Sequence, residues 1–254
     1  MGHAMGAPGA AHRAVGESRV IVLGIETSTP QTSVALGTEQ GVMASVQLAS
    51  KARQDQVVPI LQHVLEWTGV DLSHVGGVAV GVGPGLFTGL RVGVATGKTL
   101  AQVLSVPIVG IPSLDVLAFG VRYTSRLIGA VIDARRGEVF YALYRGVPGG
   151  VMRLGEYGVA PPGHLAADLE AAREEVLLVG NGAILYRKEF QAVGAGVEFA
   201  SSPQAYPEAS EMVELAVPRF IREETDRSFE VLPLYLRKSD AEIAWDQRAR
   251  GATA

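Results

Sequence analysis

The sequence predicts an α/β protein made of two tandem copies of one unit, each of order βββαβαβα, the second shorter than the first. Three observations predict it. The strand, polar turn and strand of "RVIVLGIETSTPQTSVALG", starting at Arg19, return as "LIGAVIDARRGEVFYALY" from Leu127, and Asp133 then stands where Glu26 stood, 107 residues earlier. The "GVM" at 41–43 is echoed by "GVM" at 150–152. The buried-strand run "VGGVAVGVG" is matched in position and in its glycine-rich exit by "EVLLVGNG". One echo could be chance; an ordered series of three is a duplication.

The elements follow in order. "RVIVLGIE", "TSVALG" and "GVMASVQLA" read as a three-stranded meander that ends near Ala49. In "DQVVPILQHVLEWTG", Val57, Ile60, Leu61, Val64 and Leu65 fall at helical spacing. Asp55 is suited to the N-cap, Pro59 sits in the first turn where it is tolerated, and Gly69 stops the helix. A buried strand, a helix over 86–104, the strand "VPIVGI" and a helix from Ser113 complete the first unit. The second unit adds helical patterns at 183–193 and 207–222. The expected division is a tail or tag over 1–18, a first lobe over 19–124, a second, degenerate lobe over 125–238, and a charged tail over 239–254 that is helical at most around Trp245. Two such units suggest the ribonuclease-H-like duplication of the actin, hexokinase and Hsp70 (actin-like ATPase) superfamily. There the acidic turns of both lobes face a shared cleft. Acidic residues also favour turns for purely local reasons.

A chain of 254 residues with 48% hydrophobic and 19% charged residues is expected to be an ordinary soluble globular protein. It has no Cys, which removes disulfides and thiolate metal sites and fits a reducing compartment. A net charge of −4 offers no footprint for autonomous binding to nucleic acid or an anionic membrane, so contact with RNA is expected only through a partner. No run reaches the length of a transmembrane helix. The opening "MGHAMGAPGAAHRAVGES" lacks the basic start and apolar stretch of a secretory signal, and Met5 is a candidate second start. The expected location is the cytoplasm.

"GVGPGLFTGLRVGVATGKT" ends in the Gly-Lys-Thr of a nucleotide-binding P-loop. That motif needs four residues between its glycines and a position between a strand and a helix. Here only three residues separate Gly93 from Gly97, and the Gly-Lys-Thr lies late in a helix. The P-loop is rejected.

"GIETSTPQTSVAL", "GVGPGLFTGLRVGVATGKTLA", "VPIVGIPSLDVLA", "IDARRGEVFYALY", "GNGAILY" and "PLYLR" together resemble the bacterial TsaB (YeaZ) family, over about 20–237. The resemblance implies a place in the machinery that makes N6-threonylcarbamoyladenosine at position 37 of tRNAs reading ANN codons. In that machinery TsaD carries the transferase site, TsaE is an ATPase, and TsaB is a dimerising subunit without catalysis of its own. It implies as partners TsaD in a heterodimer, TsaE in an ATP-dependent complex, a second copy in a homodimer, and tRNA only through the complex. TsaD, similar in fold, carries an Asn-His-Leu-Glu-Gly-His string whose histidines bind metal. The aligned residues here are Pro112 to Leu117, with Ser113 and Leu117 in the histidine places. His3, His12, His63, His74 and His164 form no i, i+4 pair, so no metal and no other cofactor is expected. One departure from the family is Asp55, which stands where its members commonly have His.

Gly89, Gly93, Gly97 and Ala101 form an i, i+4 stripe on the 86–104 helix. Each interior Gly costs about 1 kcal/mol against Ala, so close packing along the stripe must return a comparable sum. The stripe either packs inside its own lobe or, with its apolar neighbours, faces another subunit, and both hold if the glycines meet the sheet and the larger residues look outward. The expected interface takes in Gly89, Gly93 and Gly97 together with Phe87, Leu90, Val94 and Leu100. With Val57, Leu61 and Val64 of the preceding helix they would form the partner surface; in the family this helix pair bundles with its TsaD counterpart or a second copy. The rival reading is a small ATPase or phosphotransferase using Glu26 and Asp133 across the cleft. A weaker one, a metallopeptidase, lacks the histidine pair. "DARRGE" at 133–138 reads as a hairpin turn with solvated charges, and "GNGA" at 180–183 as a tight turn where superfamily members receive adenosine.

Overall fold

A computed structural model describes residues 20–49 and 56–237. The expected N-cap Asp55 and the tails at 1–18 and 239–254 lie outside the described residues. The order predicted from the sequence is the order observed. Strands β1 (Ile21–Glu26), β2 (Gln31–Thr38) and β3 (Gly41–Ala49) form the meander. Helix α1 (Val57–Thr68), β4 (Val75–Gly83), α2 (Phe87–Leu104), β5 (Ile108–Pro112) and α3 (Ser113–Gly120) follow. The second unit runs β6 (Leu127–Arg135), β7 (Glu138–Val147), β8 (Gly150–Ala160), α4 (Pro162–Ala172) and β9 (Val176–Val179). It ends with α5 (Asn181–Leu185), α6 (Arg187–Gln191), β10 (Val197–Phe199) and α7 (Ala209–Ile221).

The duplication is explicit in the sheets. The first has the strand order β3-β2-β1-β4-β5 and the second β8-β7-β6-β9-β10, the same order with each strand replaced by its counterpart. In both, the meander is antiparallel and the later strands pair in parallel across helical crossovers. This is the duplicated ribonuclease-H-like architecture of the actin-like ATPase fold. The second copy is reduced: β9 and β10 have four and three residues, and the helix expected over 183–193 is broken at Tyr186 into two short ones.

Helices cover both faces of each sheet, as strands with near-continuous apolar runs require. Helices α1 and α2 share one core with the first sheet, and α4, α5 and α6 cover the outer face of the second. Between the sheets lie α3 and α7, which touch each other. Helix α3 is apolar nearly all round, with Leu114, Val116, Leu117, Ala118 and Phe119 buried, the composition of a helix enclosed on every side.

The middle layer crosses between the two sheets. Helix α3, read with the first unit, sends Leu114, Leu117 and Ala118 into the core under β6 and β7. Helix α7, read with the second, packs Ala209, Val213, Ala216 and Phe220 on the first sheet. Gly24 on β1 makes room for it: a Cβ there would lie 2.9 Å from both the Ala209 carbonyl oxygen and Val213 Cγ2. Each sheet is thus covered on one face by a helix from the other repeat.

Candidate functional site

The two acidic turns end β1 and β6, as the repeat requires. Glu26 is fully buried. Its Oε1 accepts from the Ser28 N–H at 2.6 Å and its Oε2 from the Ser113 hydroxyl at 2.9 Å. Its carboxyl also occupies the space a side chain at Gly81 would need. Burial pushes the Glu26 carboxyl above the usual range, and the donors from Ser28, Ser113 and the Thr27 backbone oppose the shift. Asp133, also buried, accepts from the Arg135 N–H at 2.9 Å and pairs with the Arg135 guanidinium at 3.3 Å; its own N–H donates to Asn181 Oδ1 at 3.1 Å. Each carboxylate is held by donors of the chain itself, Glu26 by Ser28 and Ser113 and Asp133 by Arg135. The "GNGA" turn is likewise packed, with Gly180 and Gly182 lying directly against the β6 backbone.

The Gly-Lys-Thr has three local explanations. Gly97 lies on Val80 of β4 with no room for a Cβ, Lys98 Nζ donates to the Val231 carbonyl at 3.2 Å, and Thr99 Oγ1 donates back to the Ala95 carbonyl at 2.9 Å. Gly93 lies in the same way on Thr27, whose hydroxyl donates to the Gly89 carbonyl at 2.7 Å. The glycines therefore face their own lobe, which corrects the assignment of Gly89, Gly93 and Gly97 to the partner surface.

The larger residues do not all face away. Leu90 and Val94 of α2 are buried on the same side as the glycines, and Val57, Leu61 and Val64 of α1 belong to the same core. This corrects their assignment to the partner surface. A 12- or 18-residue amphipathic helix on a sheet buries an arc wide enough to take two adjacent rows, and Leu90 and Val94 form the row next to the glycines. Phe87 is half-buried and stacks on Tyr235 at 4.8 Å between ring centroids, while Leu100 is half-buried beside the core. The outward apolar residues of the pair are others: Val58 (53% exposed), Trp67 (68%) and Val103 (74%). Sequence reasoning passed over them because it followed the periodic stripe. Apolar residues lying off that stripe were the available signal.

A family model described as TsaD, tRNA N6-adenosine threonylcarbamoyltransferase, matches residues 38–245. The chain is 31% identical over 230 residues to the tRNA threonylcarbamoyladenosine biosynthesis protein TsaB of Bacillus subtilis, covering 88% of this chain and 97% of that one. The chain belongs to the TsaB family. The Escherichia coli TsaB protein is 28% identical over 229 residues, covering 88% and 96% of the two chains. YeaZ from Pseudomonas aeruginosa superposes with a TM-score of 0.74 at 29% identity, over 85% of this chain and all of that one.

In this TsaB-family chain, Ser113 and Leu117, which the resemblance was expected to put at the TsaD histidine places, have internal tasks. The Ser113 hydroxyl is bonded to Glu26 and Leu117 lies in the core under β6. Between them Asp115 accepts from the Tyr144 hydroxyl at 2.7 Å and the Tyr157 hydroxyl at 2.8 Å, with Arg153 stacked over the Tyr157 ring. Burial raises the Asp115 carboxyl and both phenols. Among the described residues no cluster of three His, Cys, Asp or Glu could hold a metal ion, and no helix is long and apolar enough to cross a membrane.

Proposed function

We propose that this chain is a non-catalytic subunit of tRNA threonylcarbamoyladenosine synthesis, one that binds TsaD and, with TsaE and ATP, supports modification of position 37 in tRNAs reading ANN codons. The observation that carries the reading is the state of the cleft. Glu26 is closed off by Ser28, Ser113 and Gly81, Asp133 by its own hairpin, and Leu117, which the resemblance puts at the place of the second TsaD histidine, lies in the core. The names of the relatives support the pathway, and the match to a TsaD family model supports pairing of two like folds.

The partner surface we assign is the outer face of α1 and α2, centred on Val58, Trp67, Leu100 and Val103. A homodimer would use the same face. An interface concentrates its energy in a few anchors, and truncating a central one costs about 2 kcal/mol or more. Purified chain and purified TsaD should co-elute in gel filtration. Val103→Glu should keep its circular dichroism and melting temperature, since its side chain is exposed, and should lose co-elution and modification in a reconstituted assay. If Val103→Glu and Trp67→Ala both bind TsaD as wild type does, the surface is elsewhere. If steady ATP hydrolysis by the isolated chain disappears in Glu26→Ala, the enzyme reading replaces this one.

A further inference from the structure

The chain does not finish at α7. Residues 226–237 run back across both lobes, and their contacts differ between the two ends. At the near end Asp226 is held three ways: its N–H donates to the Ile108 carbonyl at 2.9 Å, its Oδ2 accepts from the Gly110 N–H at 2.8 Å, and its Oδ1 pairs with Arg219 at 3.2 Å. Val231 is buried in the core shared by α1, α2 and the first sheet, and its carbonyl takes the Lys98 ammonium. At the far end the Leu234 N–H donates to the Val82 carbonyl at 2.7 Å. Tyr235, 44% exposed, stacks on Phe87 and accepts from Arg91 Nε at 3.3 Å, and the Arg91 guanidinium lies 3.9 Å from the Phe87 ring centre. Leu236 then packs on the core of the second sheet, and Arg237 donates to Glu138 at the start of β7 at 2.8 Å.

The side chain of Val231 thus sits in one lobe's core and that of Leu236 packs against the other's, with four residues between them. We propose that residues 226–237 form a latch that sets the closure of the two lobes and the position of the first turn of α2. The near end is its fixed anchor and the far end its releasable catch. The asymmetry is physical. The anchor is a buried apolar side chain plus an aspartate held by three contacts, two through its carboxylate and one through its backbone N–H. The catch is one backbone hydrogen bond, a partly solvated ring stack, a partly buried leucine and a partly buried ion pair that salt weakens. That pair is no more exposed than Arg219 with Asp226, so the difference between the ends lies in Val231 and the backbone bonds of Asp226. Segments with few buried contacts open locally while the rest of the fold stays closed. Release of the catch uncovers Phe87, frees Arg91 from Tyr235 and frees the start of β7 from the first lobe.

The test uses the whole chain without any partner, so it stands apart from whether TsaD binds. Hydrogen–deuterium exchange is followed in peptides covering 226–231, 232–237 and 86–91, for wild type, Glu138→Arg, Glu138→Arg/Arg237→Glu, and Leu236→Ala. Glu138→Arg and Leu236→Ala should each speed exchange in 232–237 on the order of tenfold and also raise it in 86–91, with 226–231 still protected. The charge-swapped double variant should return to wild-type rates, which a general loss of stability would not do. High salt should act on wild type in the same direction as Glu138→Arg. Unchanged exchange in 232–237 for Leu236→Ala overturns the latch, and so does simultaneous opening of 226–231 and 232–237. Should Glu138→Arg fail to fold, Leu236→Ala decides by itself.

Discussion

Gly97→Ala separates close packing from mere tolerance of glycine on α2. The substitution has a built-in credit: an interior Gly replaced by Ala gains about 1 kcal/mol of helix propensity. Against it stands the space. A Cβ on Gly97 would interpenetrate the Cγ1 methyl of Val80, with Val80 Cβ at 3.4 Å and Val78 Cγ1 at 3.5 Å behind it. Favourable carbon–carbon separations are about 3.5–4.0 Å. Val80 is a fully buried, β-branched residue in the middle of β4, so it cannot rotate away and the helix must lift. Inserting a methyl into a packed core costs about 1–3 kcal/mol, and an overlap this deep belongs at the upper end. The net expectation is a loss of about 1–2 kcal/mol, read as a fall in melting temperature of roughly 2–8 °C for a chain of this size. Urea titration gives the free energy directly. Val80→Ala alone should also destabilise, by opening a cavity, but the double variant should lose less than the sum of the two because the new methyl enters the vacated space. A single Gly97→Ala variant that gains the full propensity increment, or a strictly additive double variant, would refute the claim that the glycine stripe exists for contact with the sheet.

Two further outcomes are expected. Leu90→Ala should cost about 2–5 kcal/mol in urea unfolding while Val103→Ala stays within about 0.5 kcal/mol, and the reverse ranking would mean that α2 is turned the other way. Glu26 has its pKa raised by burial, so the native state holds its proton more tightly than the unfolded chain, and its contribution to stability falls as pH rises above the ordinary carboxyl value of 4.5. Glu26→Gln should therefore shrink the drop in melting temperature between about pH 5 and about pH 8 without removing it, since Asp115 and Glu208 are shifted in the same direction; an unchanged slope would place the linkage elsewhere.

Local pattern determined a good deal here. Alternation and apolar runs located the strands, and the ordered echoes revealed a duplication that the two sheets repeat strand for strand. The price of three helical glycines pointed to a close approach, and Gly93 and Gly97 do lie on Thr27 and Val80. Spacing alone removed the P-loop. These features share a cause: residues two, three or four apart meet the same neighbour, so periodicity records that a face is buried. It does not record how wide the buried arc is or which sheet lies against it. Leu90 and Val94 were placed outward for that reason, and only packing showed their row inside with the glycines. The exchange of α3 and α7 between the lobes, and the return of residues 226–237 across both, rest on contacts such as Arg237 with Glu138, 99 positions apart. Such pairings are selected by the fit of finished surfaces, Gly24 admitting Ala209 and Val213 among them, and a linear pattern holds no trace of which surfaces will meet.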